Sequence, residues 1–362
     1  MLNSLISFVE IESPTTDKPS VDRFGRHIAE LLSGLGMSIQ TNSGKHRGDH
    51  IVARWGEQKG KVLILGHLDT VWEPGTLAKM PVRIEGDVAR GPGIFDMKGG
   101  IIVTLYALRL LREQDCTGDI TVLLDSDEEE GSETSRELIE AEAKEAQCAC
   151  ILEPAGPKNS LKTKRRGTGH YKLTVIGRAA HAGVEPEKGI NAITELAHQL
   201  LEIQSWNGSG KGISANVGLI QGGTRTNVIP ERAEAMVDVR CDTLQDKDWL
   251  EEKFKTLASK HAEAKLRIEG GFERPPLERS EKVLALYREA AAIAAEFDYP
   301  VTEFWTGGGS DGNFTAALGV PTLDGLGPEG EGAHAETEHI LVSSLPRRAN
   351  LLYHLIRNRT AR

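Results

Sequence analysis

The sequence predicts an α/β protein, a central sheet wrapped by helices, with a smaller α+β domain inserted into it. Three observations carry this. The 362 residues are long for a single hydrophobic core. Short apolar runs of strand type alternate with stretches of helical periodicity before Pro157. After Pro157 the texture changes, and a self-contained series of elements begins that closes before helices rejoin the first pattern.

In chain order, residues 2–10 and 20–35 have helical periodicity, with Leu5, Phe8 and Val9, then Phe24, Ile28, Leu31 and Leu32; Gly34 and Gly36 close the second helix. His50–Trp55 and Lys61–Leu65 read as strands. Gly99–Leu111 is an apolar helix, Asp119–Leu124 a buried strand, 133–146 a helix and Cys148–Leu152 a strand. A basic run, Lys162, Lys164, Arg165 and Arg166, leads into the insertion and is read as a solvated hairpin in preference to a contact for an acidic substrate. Strands follow at 171–176, 213–220, 233–240 and 265–269, with helices at 189–203 and 248–261; helices on one face of an antiparallel sheet make a sensible small domain. Phe272–Leu277, with Pro275 and Pro276, reads as the return linker, and residues 280–297 and 344–357 as helices. The domain ranges are therefore 1–162, 163–273 for the insertion, and 274–362.

A hydrophobic fraction of 39% and a charged fraction of 27% fit a globular protein in water. A formal net charge of −10 argues against a nucleic-acid surface, which needs a basic face. No apolar stretch approaches the ~20 residues needed to span a bilayer, and residues 1–7 have neither the basic nor the apolar region of a signal peptide. Cys116, Cys148, Cys150 and Cys241 fit neither a disulfide framework nor a zinc knuckle; Cys148 and Cys150 belong to an apolar run, and reduced thiols suit the cytoplasm.

The chemistry sits at strand ends, where ligands collect in open α/β sheets. An apolar run ends in Gly66-His67-Leu68-Asp69, and residues two apart in extended chain project to one side, so Asp69 can brace a metal-binding His67. The glycine-rich turn Gly91 to Gly100 delivers Asp96 to the start of a helix, as a helix cap or as a ligand. The acidic run Asp125 to Glu130 ends the strand at Leu124; of the adjacent Glu128 and Glu129, one can bind a metal while the other takes a proton from the water that the metal activates. Glu153 ends the next strand. His334 lies in a loop, where a lone histidine is usually bland, and His50 and His339 are weaker candidates. Counted together, His67, Asp96, Glu129, Glu153 and His334 supply the roughly five donors that two metals sharing a carboxylate need. Mixed imidazole and carboxylate donors suit zinc, with cobalt or manganese as substitutes. Neither glycine loop is followed by the Lys-Ser/Thr pair of a phosphate loop.

His67 to Val71, Gly91 to Gly100, Asp127 to Ser132, and Glu153-Pro154 together resemble the di-zinc exopeptidases and deacylases, and the likeness covers nearly the whole chain. Gly66 to Gly100 and the loop Thr306 to Asp311 look most like the bacterial glutamate carboxypeptidases of that family. The resemblance implies a zinc-exopeptidase-like central mixed sheet flanked by helices, forming a catalytic domain from residues 1–162 and 274–362. The insertion would be a ferredoxin-like dimerisation domain, and the protein a homodimer. It implies two zinc ions, with Asp96 bridging beside a cis peptide to Met97, His67 and Glu153 on one, and Glu129 and His334 on the other. Glu128 would be the general base and then the acid that protonates the leaving amine, and Asp69 would orient His67. His181 would reach the neighbouring subunit's site and stabilise the oxyanion. Asn227 and Arg240 match substrate-binding positions, Arg240 suiting a terminal carboxylate. The amides of Gly307, Gly308 and Gly309 would face the substrate. The sequence departs at Trp305, where glutamate-specific members carry arginine. The implied reaction is zinc-dependent hydrolysis of an amide next to a free carboxylate in a small peptide. The alternative is deacylation of an N-acyl amino acid. A non-catalytic binding protein on the same fold would show a damaged donor set, whereas here every donor and Glu128 are present.

Overall fold

The computed structural model describes residues 1–56, 61–116, 118–209 and 212–360. The chain forms two compact units: Met1–Lys164 with Arg279–Thr306 and Ser310–Arg362, and Arg165–Glu278 with Gly307–Gly309.

The larger unit is built on a six-stranded sheet. Its order is Ser38–Asn42, His50–Trp55, Ile120–Asp125, Val62–His67, Cys148–Ile151, Thr322–Leu323. The first two pairings are antiparallel and the other three parallel, so the sheet is mixed. Both faces are covered, and period-two alternation sorts the side chains. Val62 and Ile64 join one apolar cluster with Phe24, Ile28 and Ile102 from helices, while Leu63 and Leu65 join another with Ile139 and Phe314. Cys148 and Cys150 are buried on the first of these faces, and the four cysteines are free thiols.

A second, small sheet in this unit decides where the site lies. Its order is Gly330–Glu331, His339–Leu341, Val88–Arg90, Arg83–Glu85. His339 pairs antiparallel with Arg90 and Leu341 with Val88. The chain leaving Arg90 toward Asp96 therefore runs beside the chain that arrives at His339 from His334.

The basic run is not a solvated hairpin. Ser160–Arg165 is a strand paired with Thr302–Thr306. Lys162 and Arg165 are buried, and each cation in turn finds a partner. Lys162 Nζ lies 3.9 Å from Glu153 Oε2. Lys164 Nζ stands 5.7 Å from the centre of the Trp305 ring.

The inserted unit has a four-stranded antiparallel sheet in the order Ile213–Gly222, Arg232–Cys241, Gly167–Ile176, Lys265–Arg274. The helices Ala192–Ser205 and Leu244–Thr256 complete a βαββαβ succession of ferredoxin type. Val237 and Val239 pack with Leu196, Leu250 and Phe254 in its core. The second helix begins at Leu244 and not at 248, because the Thr243 side chain accepts the Asp246 N–H at 3.0 Å and caps it there. Likewise 272–277 is not simply a linker: the last strand runs to Arg274 by pairing with Gly167–Ile176.

Candidate metal centre

Strand ends deliver the first donors. His67 is the last residue of its strand and lies beside Asp125, the last of the neighbouring one. Glu153 follows Cys148–Ile151 by two residues. His67 is buried, with Nδ1 2.9 Å from the Asp69 carbonyl oxygen and 3.4 Å from its carboxylate Oδ1. Its Nε2 lies 3.3 Å from Asp96 Oδ1 and 3.7 Å from Glu153 Oε1.

Asp96 sits in the irregular turn Ile94–Lys98, entered through Gly93 at φ 71°, where a Cβ would meet Thr70 Cγ2 at 2.7 Å. The Asp96–Met97 peptide is cis. The helix Gly99–Glu113 takes no side-chain cap, so Asp96 is not its cap. Instead Asp96 divides its two oxygens. Oδ1 faces His67, and Oδ2 lies 3.4 Å from His334 Nε2. That same His334 nitrogen is 3.1 Å from Glu129 Oε2. Donor atoms of His67, Asp96 and Glu129 lie within 4.8 Å of one another, and so do those of His67, Glu128 and Glu153.

The charges of the site call for cations. Burial pushes the Glu129 carboxyl up to about 7, against the lowering effect of His334. Hydrogen bonds to Asp96 and Glu129 push His334 up to about 10. Burial alone would raise Asp96, but His334 and His67 hold it well below the usual carboxylate range. Glu129 Oε1 is buried without a hydrogen-bond partner among the described residues. Unpaired buried carboxylate oxygens are costly. The residues present therefore fit a pair of divalent cations. His67, Asp96, Glu129, Glu153 and His334 are the donors that could hold them, with Glu128 beside them.

The sequence candidates for contact with substrate, His181, Asn227, Arg240 and Gly307 to Gly309, lie in the inserted unit. His181 Nδ1 accepts the main-chain N–H groups of Gly183 and Val184, both at 3.1 Å, and its backbone bridges to Val228. Asn227 is next to it, its carbonyl accepting the Ala182 N–H at 3.0 Å. Arg240 is gripped by Asp238 through Nε at 2.9 Å and Nη2 at 2.7 Å. The carbonyls of Gly308 and Gly309 accept from Arg165 Nη1. His50 is a satisfied core histidine, its ring nitrogens each 3.1 Å from Ser126 Oγ and Thr134 Oγ1.

Sequence reasoning missed two supporting residues. Thr15 donates from Oγ1 to Asp69 Oδ2 at 2.8 Å. Glu338, buried, accepts from the backbone of Asp96 at 3.0 Å. Neither stands in a recognisable motif; Glu338 shows only its nearness to His334.

Imidazole and carboxylate donors in overlapping sets, with His67 and Glu153 at the carboxyl ends of parallel strands, define a metal-dependent hydrolase. The chain belongs to the peptidase family M20/M25/M40, which it matches over residues 63–358. Carboxypeptidase G2 of Pseudomonas sp. (strain RS-16) is 35% identical over 376 residues, covering 98% of this chain and 88% of that protein. A succinyl-diaminopimelate desuccinylase of Alkalilimnicola ehrlichii is 28% identical over 339 residues, with 88% of each chain covered. Among solved structures, the aminopeptidase PepT from Bacillus cereus shares the fold with a TM-score of 0.81, at 22% identity, covering 100% of this chain and 98% of that one.

Proposed function

We propose that the protein is a zinc-dependent exopeptidase of carboxypeptidase type, hydrolysing an amide bond next to a free carboxylate in a small peptide. The observation that carries the two-cation part is Asp96, whose two oxygens face His67 and His334 separately. The 35% identity to carboxypeptidase G2 supports the substrate class.

Zinc held here would polarise the scissile carbonyl and lower the pKa of the attacking water; cobalt or manganese would substitute. His67 and Glu153 would hold one ion, Glu129 and His334 the other, and Asp96 would serve both. Glu128 takes the water's proton and returns it to the leaving amide nitrogen. Asp69 keeps His67 in place. Arg240, oriented by Asp238, receives the substrate carboxylate, and Asn227 and the amides of Gly307, Gly308 and Gly309 steady the rest. The inserted unit serves as a dimerisation domain, and His181 of a second copy donates to the developing oxyanion. An exposed edge strand supports the homodimer: Ile213–Gly222 ends its sheet, with Leu219 68% and Ile220 62% exposed. The four free thiols support a cytoplasmic setting.

The second reading is N-acyl-amino-acid deacylation. The desuccinylase relative favours it, and so does Trp305, an exposed indole where an arginine would suit a glutamate side chain. A hydrolysis screen of zinc-reconstituted protein decides between them. C-terminal glutamyl and other C-terminal amino-acid conjugates are expected to turn over with higher kcat/KM than N-acetyl and N-succinyl amino acids. The reverse order would assign the deacylase.

A further inference from the structure

Glu338 is wholly buried, and its carboxylate binds main chain and an indole, not a donor side chain. Oε1 accepts the N–H groups of Phe95 at 2.9 Å and Asp96 at 3.0 Å. Oε2 accepts the Gly93 N–H at 2.9 Å and the Trp72 indole N–H at 2.8 Å. The Glu338 backbone is engaged too. Its N–H donates to Ala335 at 2.8 Å, closing the turn that carries His334, and its carbonyl accepts from Gly91 at 3.4 Å. Three loops thus converge on one anion: the loop of His67 and Asp69 that continues to Trp72, the turn of Asp96, and the turn of His334.

We propose that Glu338 is the positioning residue of the metal centre: by holding these three loops together it fixes Asp96 against His334 and so sets the spacing of the two cation positions. This rests on the two-cation reading above. The chemistry explains why a carboxylate is needed. Four donors point inward in two pairs, and only a group with two acceptor oxygens satisfies both. The bonds are charge-assisted and buried, so they resist stretching more than neutral ones. Glutamine would keep the shape but turn an NH2 toward one pair of donors, leaving them opposed. The Asp96 turn would then relax while the donor side chains themselves were untouched. Partners behind metal ligands commonly govern affinity in this way.

The test measures metal, not turnover. Zinc-stripped wild type, Glu338→Gln, Trp72→Phe and the exposed control Glu336→Gln are titrated with zinc against a chromophoric chelator. The visible spectrum of each cobalt-loaded protein reports ligand geometry. Glu338→Gln is expected to weaken zinc binding by roughly 10–100-fold and to alter the cobalt spectrum. Trp72→Phe removes one bond but keeps the charge, and is expected to move both readouts the same way by a smaller factor. Glu336→Gln is expected to match wild type. Should Glu338→Gln fail to unfold cooperatively, Trp72→Phe decides. Wild-type affinity and an unchanged spectrum in a folded Glu338→Gln, or in Trp72→Phe if that variant decides, would overturn the proposal. A wild type that takes up no zinc would instead remove the two-cation reading beneath it.

Discussion

The Nδ1 of His67 lies 2.9 Å from the main-chain carbonyl oxygen of Asp69, closer than the 3.4 Å to the Asp69 carboxylate. A carbonyl can only accept, so Nδ1 carries the proton and Nε2 is left to face Asp96 and Glu153. The aspartate thus orients the ring with backbone and side chain together. Its Oδ2 also receives Thr15 Oγ1 and the Glu129 N–H, at 2.8 and 3.3 Å. Asp69→Ala therefore keeps the carbonyl contact but frees Thr15 and the Glu129 backbone. We expect a folded protein whose zinc affinity falls by roughly 10-fold or more, read by chelator competition. Unchanged affinity would show that the carbonyl alone suffices.

Glu128 is a neighbour of the donor set whose removal leaves His67, Asp96, Glu129, Glu153 and His334 in place. Glu128→Ala is expected to retain zinc but lose kcat by roughly 10²–10⁴-fold. Metal content by elemental analysis, paired with steady-state kinetics, checks both halves. Full activity in this variant would refute the assigned base.

Removing metal leaves the buried carboxylates of Glu129 and Asp96 with only the imidazoles of His67 and His334 to face, and this predicts lower stability as well as inactivity. Zinc at 100 times its dissociation constant would stabilise the fold by about 2.7 kcal/mol. A chelator is expected to abolish activity and lower the Tm, and added zinc to restore both. A Tm indifferent to zinc would contradict zinc binding to the folded state.

Two buried groups of the inserted unit are expected to contribute to the alkaline limit of stability. Burial raises the Cys241 thiol from 9.0 to about 12 and the Tyr171 phenol from 10.0 to about 12. Both groups hold their protons longer when folded. Their contribution is complete below pH 9 and is lost as pH rises toward 12, because the unfolded chain then binds fewer protons than the native one. Cys241→Ala is expected to flatten this alkaline limb in urea unfolding relative to the variant's own stability at neutral pH. Parallel limbs in the two proteins would contradict the assignment.

The central sheet was legible because strands such as Val62–His67, buried on both faces, write themselves as apolar runs. His67 and Glu153 were legible because each ends or follows such a run, and Asp96 because a glycine-rich turn delivers it to the start of a helix. The small sheet was not. Gly330–Glu331 and Val88–Arg90 are two and three residues long, too short to show a period. Yet that sheet sets His334 beside Asp96. The basic run misled because burial of Lys162 and Arg165 depends on partners far away in sequence, Glu153 and the Gly308–Gly309 carbonyls. Glu338 was invisible for a related reason: its donors are backbone N–H groups, which no side-chain pattern records.

The most direct measurement is anomalous diffraction at the zinc edge from crystals grown with zinc. The account predicts two peaks ~3.5–4 Å apart, one on the His67 side of Asp96 and one on the His334 side. A single peak, or none within bonding distance of Asp96, would contradict it.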